Sequence, residues 1–360
     1  MKPLYQERLG RVRQNMKEQG LSQILVSSTE SVFYLTGLWI VPMERQLALY
    51  VHEDGQCMLF GNDLFGITSL EGWELKLHND ADDPVADIAK TVRPGTLGID
   101  KSWPSRFLIR LMEQRQDLRP VVGSAPVDDA RKQKDEQEAQ AMREASSIND
   151  RVMAQAVSEL REGVTEAEMA SRVEALFREN GAERSDEGQL VCFGPNGADP
   201  HHAPENTVLR PGDSIVLDIF TPIKRYWCDM TRTVFWKEVS EEQRRVYETV
   251  KAANLAAEAM IRPGVKMCEI DRAARQVIEE TGYGPYFTHR LGHGCGISCH
   301  EPPDNSAVSE VIAQPGMVFS VEPGIYLPGK FGVRIEDLVL VTETGCEVLN
   351  DYTKDLQVLG

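Results

Sequence analysis

SIVLDIF at 214–220 and YWCDMTRTVFW at 226–236 decide how the second half of this chain folds. Each is an apolar run of strand-forming residues, and the short link between them makes them two arms of a hairpin. Each arm also carries an acid, Asp218 and Asp229. A carboxylate inside such a strand is costly unless it is paired or bound to a cation. With the turn centred between Ile223 and Lys224, the two acids become cross-strand neighbours about 5 Å apart on one face. Two unpaired carboxylates that close repel, and a divalent cation between them removes both costs. An edge hairpin whose acids face water accounts for the pair equally well, because a slip of one residue reverses the faces.

Downstream lies HRLGHGCGISCHEPP at 289–303, which places His289, His293 and His300 within 12 residues of a chain that holds only seven histidines. Gly292, Gly294 and Gly296 disfavour a helix and let the backbone approach something closely. One reading is a histidine-based metal site. A second makes Cys295 and Cys299 zinc thiolates, but there is no further Cys pair at finger spacing, and cysteine is also a small apolar filler.

Two more acids sit in apolar runs, Glu322 in MVFSVEPGIY and Glu336 in GVRIEDLVLV. The Gly/Pro-rich link Pro323–Gly332 allows these runs to pair as Met317–Glu322 with Val333–Val341. Asp337 must face away from Glu336 along a strand, which makes it the weaker candidate. Arg334 shares the face of Glu336 and is expected to hold it by a charged hydrogen bond. His201 and His202 follow the turn-rich FGPNGADP and either project into the same cleft or form an exposed loop dipeptide. Asp218, Asp229, His293, Glu322 and Glu336 together give four carboxylates and one imidazole. That set suits two hard or borderline divalent ions better than one structural zinc, and two such ions can share a bridging hydroxide that hydrolyses an amide.

Around these segments, the second half is expected to be α+β. Helices are read over Asp129–Leu160 (one long helix or a pair), from Thr165 with a Thr165/Glu168 capping box, from Ser240 to Met260 with Gln243, and over Glu269–Glu280. Residues 1–125 alternate short strands and helices, with a hairpin around Glu53–Gly55, and read as a small α/β domain. The 360 residues therefore divide into 1–127 and 128–360. The net charge of −17, from 39 basic and 56 acidic residues, speaks against nucleic acid or anionic lipid as the main partner. No apolar run approaches a membrane span, and the polar first 20 residues lack a secretory h-region. Seven scattered cysteines fit a reduced, cytoplasmic protein.

With these residues in hand, the chain resembles the pita-bread metallopeptidases: prolidase, aminopeptidase P, methionine aminopeptidase and creatinase. The ordered Asp, Asp, His, Glu, Glu set matches that family's five ligands. The strings LDIF, CDMTRT, GHGCGISCHEPP, MVFSVEPGIY and VRIEDLVLV match their context. The N-terminal domain is similar to that of the prolidase and aminopeptidase P branch, and methionine aminopeptidases usually lack it. The resemblance implies an α/β N-terminal domain followed by a pita-bread catalytic domain. It implies that Asp218 chelates one metal, that Asp229 and Glu336 bridge two, and that His293 and Glu322 complete the shells. Glu322 would exchange protons with the nucleophilic water. His201, His289 and His300 match histidines that contact substrate or the tetrahedral intermediate, and Arg334 matches a supporting arginine. The implied activity is hydrolysis between an N-terminal residue and proline, in an Xaa-Pro dipeptide or short peptide. The implied cofactors are two divalent ions, Mn or Co ahead of Zn or Fe, and the implied assembly is a homodimer. A metal-using relative acting on a small non-peptide amide is the alternative. One departure bears on specificity. Some prolidases place an arginine shortly after the HE-x-P string to bind the substrate's terminal carboxylate, whereas here Asp304-Asn305-Ser306 follows.

Overall fold

Two units, Met1–Arg131 and Lys132–Gly360, make up the chain. The structure is a computed structural model and describes residues 1–183 and 188–360. The expected division after residue 127 falls inside a helix, Ala125–Lys132, that closes the first unit. The long helical stretch after it resolves into a pair. Asp135 ends the break and starts Glu136–Ser158, because its side chain accepts from the Glu138 amide while Glu138 reaches back to the Asp135 amide.

The first unit is a six-stranded mixed sheet in the order Glu74–His78, Cys57–Asn62, Ala48–His52, Gln23–Val26, Gly95–Ile99, Leu118–Val122. Leu25, Tyr50, Phe60 and Leu97 from the sheet pack with Ile88 and Leu111 from its helices. Two elements here escaped the sequence reading. The helix Thr29–Thr36 is rich in residues that favour strands, and the Ser28 cap and left-handed Gly37 (φ 77°) fix it instead. The strand Glu74–His78 is only half-buried and has little apolar signal.

The second unit is built twice over from a helix pair and a sheet. Helices Glu136–Ser158 and Glu166–Glu179 share one core with the four-stranded sheet that holds Ser214–Ile223 and Tyr226–Trp236. Helices Glu241–Met260 and Met267–Glu280 share a second core with the five-stranded sheet that holds Gly292–Gly294, Val318–Val321 and Asp337–Val341. The expected capping boxes at Thr165/Glu168 and Ser240/Gln243 are formed. No helix among the described residues is long and apolar enough to cross a membrane.

Two strand registers differ from expectation. In the hairpin, Asp218 faces Thr231 and Asp229 faces Phe220, so the acids are diagonal rather than directly opposed. The turn is Lys224-Arg225, both with positive φ (49° and 75°), one position beyond the expected centre. Such a two-residue turn is ordinarily announced by Asn-Gly or Asp-Gly, and Lys-Arg gives no such signal. Moving the turn by one position shifts the pairing by two, which leaves both acids on the same face. Further on, the expected Met317–Glu322 and Val333–Val341 pair is interrupted. Gly324–Leu327 and Phe331–Arg334 form a hairpin of their own, while Val318–Val321 pairs with Asp337–Val341. Glu322 and Glu336 therefore lie just outside the strands, at a shared break in the ladder, rather than within them.

Candidate metal centre

Glu322 and Glu336 are brought together because Val321 pairs with Asp337, so the residue after one strand meets the residue before the other. Asp218 and Asp229 approach from the hairpin of the other sheet, and the Glu336 amide donates to the Thr231 carbonyl at 3.0 Å, tying the two sheets at this point. His293 comes from the short strand Gly292–Gly294. A Cβ at Gly292 would lie 2.1 Å from the Ser320 carbonyl oxygen, and one at Gly294 would lie 2.3 Å from that of Pro302. Glycine is required on both sides of His293 because the neighbouring backbones press against it.

Oxygen and nitrogen atoms of Asp229, His293 and Glu336 lie within 4.8 Å of one another. Asp218 and Glu322 line the same cavity, of about 500 Å3, a size suited to a small ligand. The His293 Nδ1 sits 3.2 Å from the Gly294 carbonyl oxygen, and the ring is neutral because burial, then His300, pushes its pKa down to about 3. The proton is assigned to Nδ1, which faces that carbonyl. The lone pair of Nε2 is left facing Glu322 Oε1 at 3.4 Å and Asp229 Oδ2 at 3.7 Å. With these carboxylates ionised, acceptor faces acceptor, an arrangement that a bound cation satisfies. Burial and the neighbouring acids push Asp229 and Glu336 well above the usual carboxylate range, and burial raises Glu322 to about 7 despite the opposing Arg334 charge. Asp218 Oδ1 is buried with no hydrogen-bond partner. The donor set therefore fits divalent metal.

The surrounding groups fix these atoms. Thr231 Oγ1 donates to Glu336 Oε2 at 2.7 Å, and Ser320 Oγ donates to Glu322 Oε1 at 3.0 Å while accepting from the His293 amide at 2.9 Å. Arg334 does not hold Glu336 as expected. Its Nη2 donates to Asp218 Oδ2 at 2.7 Å, because the chain turns at Ile335 before Glu336 and the two side chains no longer share a strand face. Its Nη1 donates to the Tyr326 hydroxyl at 3.0 Å and its Nε to Thr231 Oγ1 at 3.0 Å. Tyr326 in turn lies 2.8 Å from His289 Nε2, and His289 Nδ1 lies 2.6 Å from the Arg290 carbonyl oxygen. Proton placement follows: Nδ1 donates to the carbonyl, and the phenol donates to Nε2. Burial, reinforced by Arg334, holds the His289 pKa down to about 4, in keeping with a neutral ring.

The His300 ring lies against that of His293, with centroids 3.8 Å apart and the planes tilted by 41°, and His201 lines the cavity from its loop. His202 turns away to Glu166, 3.4 Å from its carboxylate. Asp337 is also outside the site, paired with Arg232 at 2.7 Å and Lys354 at 2.8 Å. Cys295 points at the Trp227 carbonyl, whereas Cys299 donates to Asp229 Oδ2 at 3.5 Å, so the two thiols do not converge. Sequence reading missed Thr231, Ser320, Tyr326 and Glu166. Thr231 was findable, being two residues beyond Asp229 and so on its face. Glu166 is fully buried and accepts from the Phe193 and Glu205 amides and the Asn196 side chain, clamping both ends of the His201 loop. Nothing local distinguishes it from an ordinary first-turn acid.

A sheet-and-helix unit with a buried carboxylate and histidine cluster in one cavity is the architecture of a metal-dependent hydrolase. Residues 140–343 match the family model for metallopeptidase family M24, and residues 8–133 match that for the Creatinase/Prolidase N-terminal domain. The chain belongs to metallopeptidase family M24 and has the pita-bread fold. A prolidase from Thermococcus sibiricus superimposes with a TM-score of 0.93 at 34% identity, covering 99% of each chain. An Xaa-Pro dipeptidase from Bacillus anthracis gives 0.90 at 29% identity, covering 99% of this chain and 100% of its own. The YkvY protein of Bacillus subtilis (strain 168) is 34% identical over 98% of this chain and 99% of its own.

Proposed function

We propose that this chain is a dinuclear metallopeptidase that hydrolyses the bond between an N-terminal residue and proline in Xaa-Pro dipeptides and short peptides. The observation that carries the reading is the neutral His293 whose Nε2 faces two carboxylate oxygens inside a cavity ringed by Asp218, Asp229, Glu322 and Glu336. Asp229, His293 and Glu336 form the tightest group, and Asp218 and Glu322 line the same cavity. Two divalent ions, Mn or Co ahead of Zn or Fe, would supply Lewis acidity and a water of lowered pKa. Glu322, at the cavity wall, accepts a proton and returns it to the leaving proline nitrogen. His300 and His201 present imidazole donors toward the scissile carbonyl oxygen, where negative charge develops. His289 acts through Tyr326, holding the phenol beside Arg334. The similarity to proteins named prolidase and Xaa-Pro dipeptidase supports proline as the second residue. All seven cysteines are free, which supports a reducing, cytoplasmic setting. The reading includes a homodimer.

The test is release of proline from Ala-Pro, Gly-Pro and a longer Xaa-Pro-Xaa peptide by the purified chain with added Mn²⁺ or Co²⁺. Metal-dependent release from at least one supports the reading. Absence of release from all three overturns it.

A further inference from the structure

Asp337 sits beside the metal centre without joining it, in a buried cluster of charges organised by Lys354. The Lys354 ammonium lies 2.8 Å from Asp337 Oδ2, 2.6 Å from Glu258 Oε1 and 2.7 Å from Asn254 Oδ1. Three acceptors take up all three of its donors. The lysine side chain is 15% exposed, against 0% for Asp337 and 10% for Glu258. Buried ion pairs of this kind are poor sources of stability, since apolar residues of similar volume often serve as well or better. What they do is fix positions.

The position fixed here is the break in the ladder from which Glu322 and Glu336 emerge. Val321 pairs with Asp337, and the two glutamates are the next residues out from that pair. Lys354 reaches both halves of it. It holds Asp337 directly, and it holds Asn254, whose Nδ2 donates to the Val321 carbonyl at 3.0 Å. Arg232 completes the grip from the other sheet. Its Nη1 donates to the Glu336 carbonyl and its Nη2 to Asp337 Oδ1, both at 2.7 Å. The same guanidinium binds the segment that carries Lys354, donating to the Tyr352 carbonyl at 2.7 Å and the Thr353 carbonyl at 3.1 Å. Further along, Val358–Leu359 pairs with the strand Tyr226–Trp236 that carries Asp229. Residues 350–359 are thus tied to both sheets that supply the centre.

We propose that Lys354 is a positioning residue of the metal centre: by pinning Asp337 and Asn254 it sets the spacing at which Glu322 and Glu336 meet a divalent ion. The coupling is reciprocal. An ion that holds the two glutamates at their spacing steadies residues 350–359 in return. The inference rests on the metal-centre reading and extends it to a segment outside the cavity.

The experiment measures Mn²⁺ binding calorimetrically for the full chain as wild type, Lys354→Met and Lys354→Arg. It runs at pH 8, where Glu258, raised to about 7 by burial and by Asp337, is ionised. Positioning and charge predict opposite signs. If Lys354 acted by its field alone, removing that cation would tighten Mn²⁺ binding by the carboxylates. A loosened spacing weakens it. The Kd for Mn²⁺ is expected to rise about tenfold or more in Lys354→Met, as when a group that orients a metal ligand is lost, and Lys354→Arg recovers part of the loss. Hydrogen exchange reads the coupling in wild type without any substitution. Amides of residues 350–359 exchange more slowly with Mn²⁺ bound than in EDTA. Tighter or unchanged Mn²⁺ binding by Lys354→Met overturns the proposal even if the variant melts earlier, because a merely structural role lowers the melting temperature without moving Kd. If Lys354→Met does not fold, exchange decides, and an unchanged rate in 350–359 overturns the proposal. A wild type that binds no Mn²⁺ overturns the metal reading together with this one, whereas wild-type binding with an unaffected variant overturns this one alone.

Discussion

Arg334 donates through Nη2 to Asp218 Oδ2 across 2.7 Å, with the two side chains only 5% and 12% exposed. The bond leaves Asp218 with one committed oxygen and one free oxygen, Oδ1, which is the geometry of a carboxylate prepared to give a single further contact. The same guanidinium fixes Tyr326 and, through it, His289. One planar side chain thus sets the positions of three groups around the cavity.

Arg334→Met is expected to destabilise the protein by about 3–5 kcal/mol, because it strands a buried acid without its partner. Arg334→Lys keeps a charge but not the fork, so it should fold better than the Met variant and still lose most activity. Chemical denaturation and proline-release assays on the two variants check both statements. Equal stability of the two would mean that charge plays no part.

Asp229→Asn is expected to lose activity by orders of magnitude with the fold intact. Without metal it should be more stable than wild type, since burial and repulsion from Asp218 and Glu322 are what push the Asp229 pKa up. Thermal melts in EDTA read this directly. A lower melting temperature than wild type would contradict the repulsion argument.

The contribution of the site to the pH dependence of the metal-free protein comes from two opposed sets of groups. Asp229, Glu322 and Glu336 have raised pKa values, Glu322 at about 7, so in this range the folded state binds protons that the unfolded state releases. His293 and His289, lowered to about 3 and 4, do the reverse, and their effect operates below the ordinary histidine value of about 6.5. The two sets oppose each other between about pH 5 and 6.5. Above that, the unfolded histidines are neutral and the acids act alone, so stability falls as pH rises. Bound Mn²⁺ compensates the carboxylates, and its stabilising shift should grow from pH 6.5 to 8.5. A shift that shrinks over this range in thermal melts would refute the assignment.

Thr231→Val removes the donor to Glu336 Oε2 and the acceptor for Arg334 Nε at almost unchanged volume. A loss of about 1–3 kcal/mol is expected from the stranded buried groups. Denaturant unfolding measures it, and a neutral substitution would show that the bonds are replaceable.

Much of this centre was legible because a carboxylate in an apolar context has no ordinary reason to be there. That reasoning singled out Asp218, Asp229, Glu322 and Glu336, and the cavity contains all four. Parity protected the hairpin prediction. Lys224-Arg225 concealed the true turn, but the resulting shift of two residues kept Asp218 and Asp229 on one face. The partner of Arg334 was not legible, because strand alternation cannot foresee that the chain leaves the ladder between Arg334 and Asp337. Glu166 and Tyr326 were missed for a related reason. Their importance lies in contacts with residues far along the chain, and their local sequence carries no mark of it. The inserted hairpin Gly324–Leu327 with Phe331–Arg334 looked like a link because its Pro328-Gly329 turn is as rich in turn residues as the rest.

The most direct test of the account is Mn²⁺-dependent release of proline from Ala-Pro, measured side by side for the wild-type chain and for Asp229→Asn. The account predicts release by wild type that EDTA abolishes and Mn²⁺ restores, with the variant inactive at every Mn²⁺ concentration. Release that survives either EDTA or the substitution, or no release by wild type at all, would contradict it.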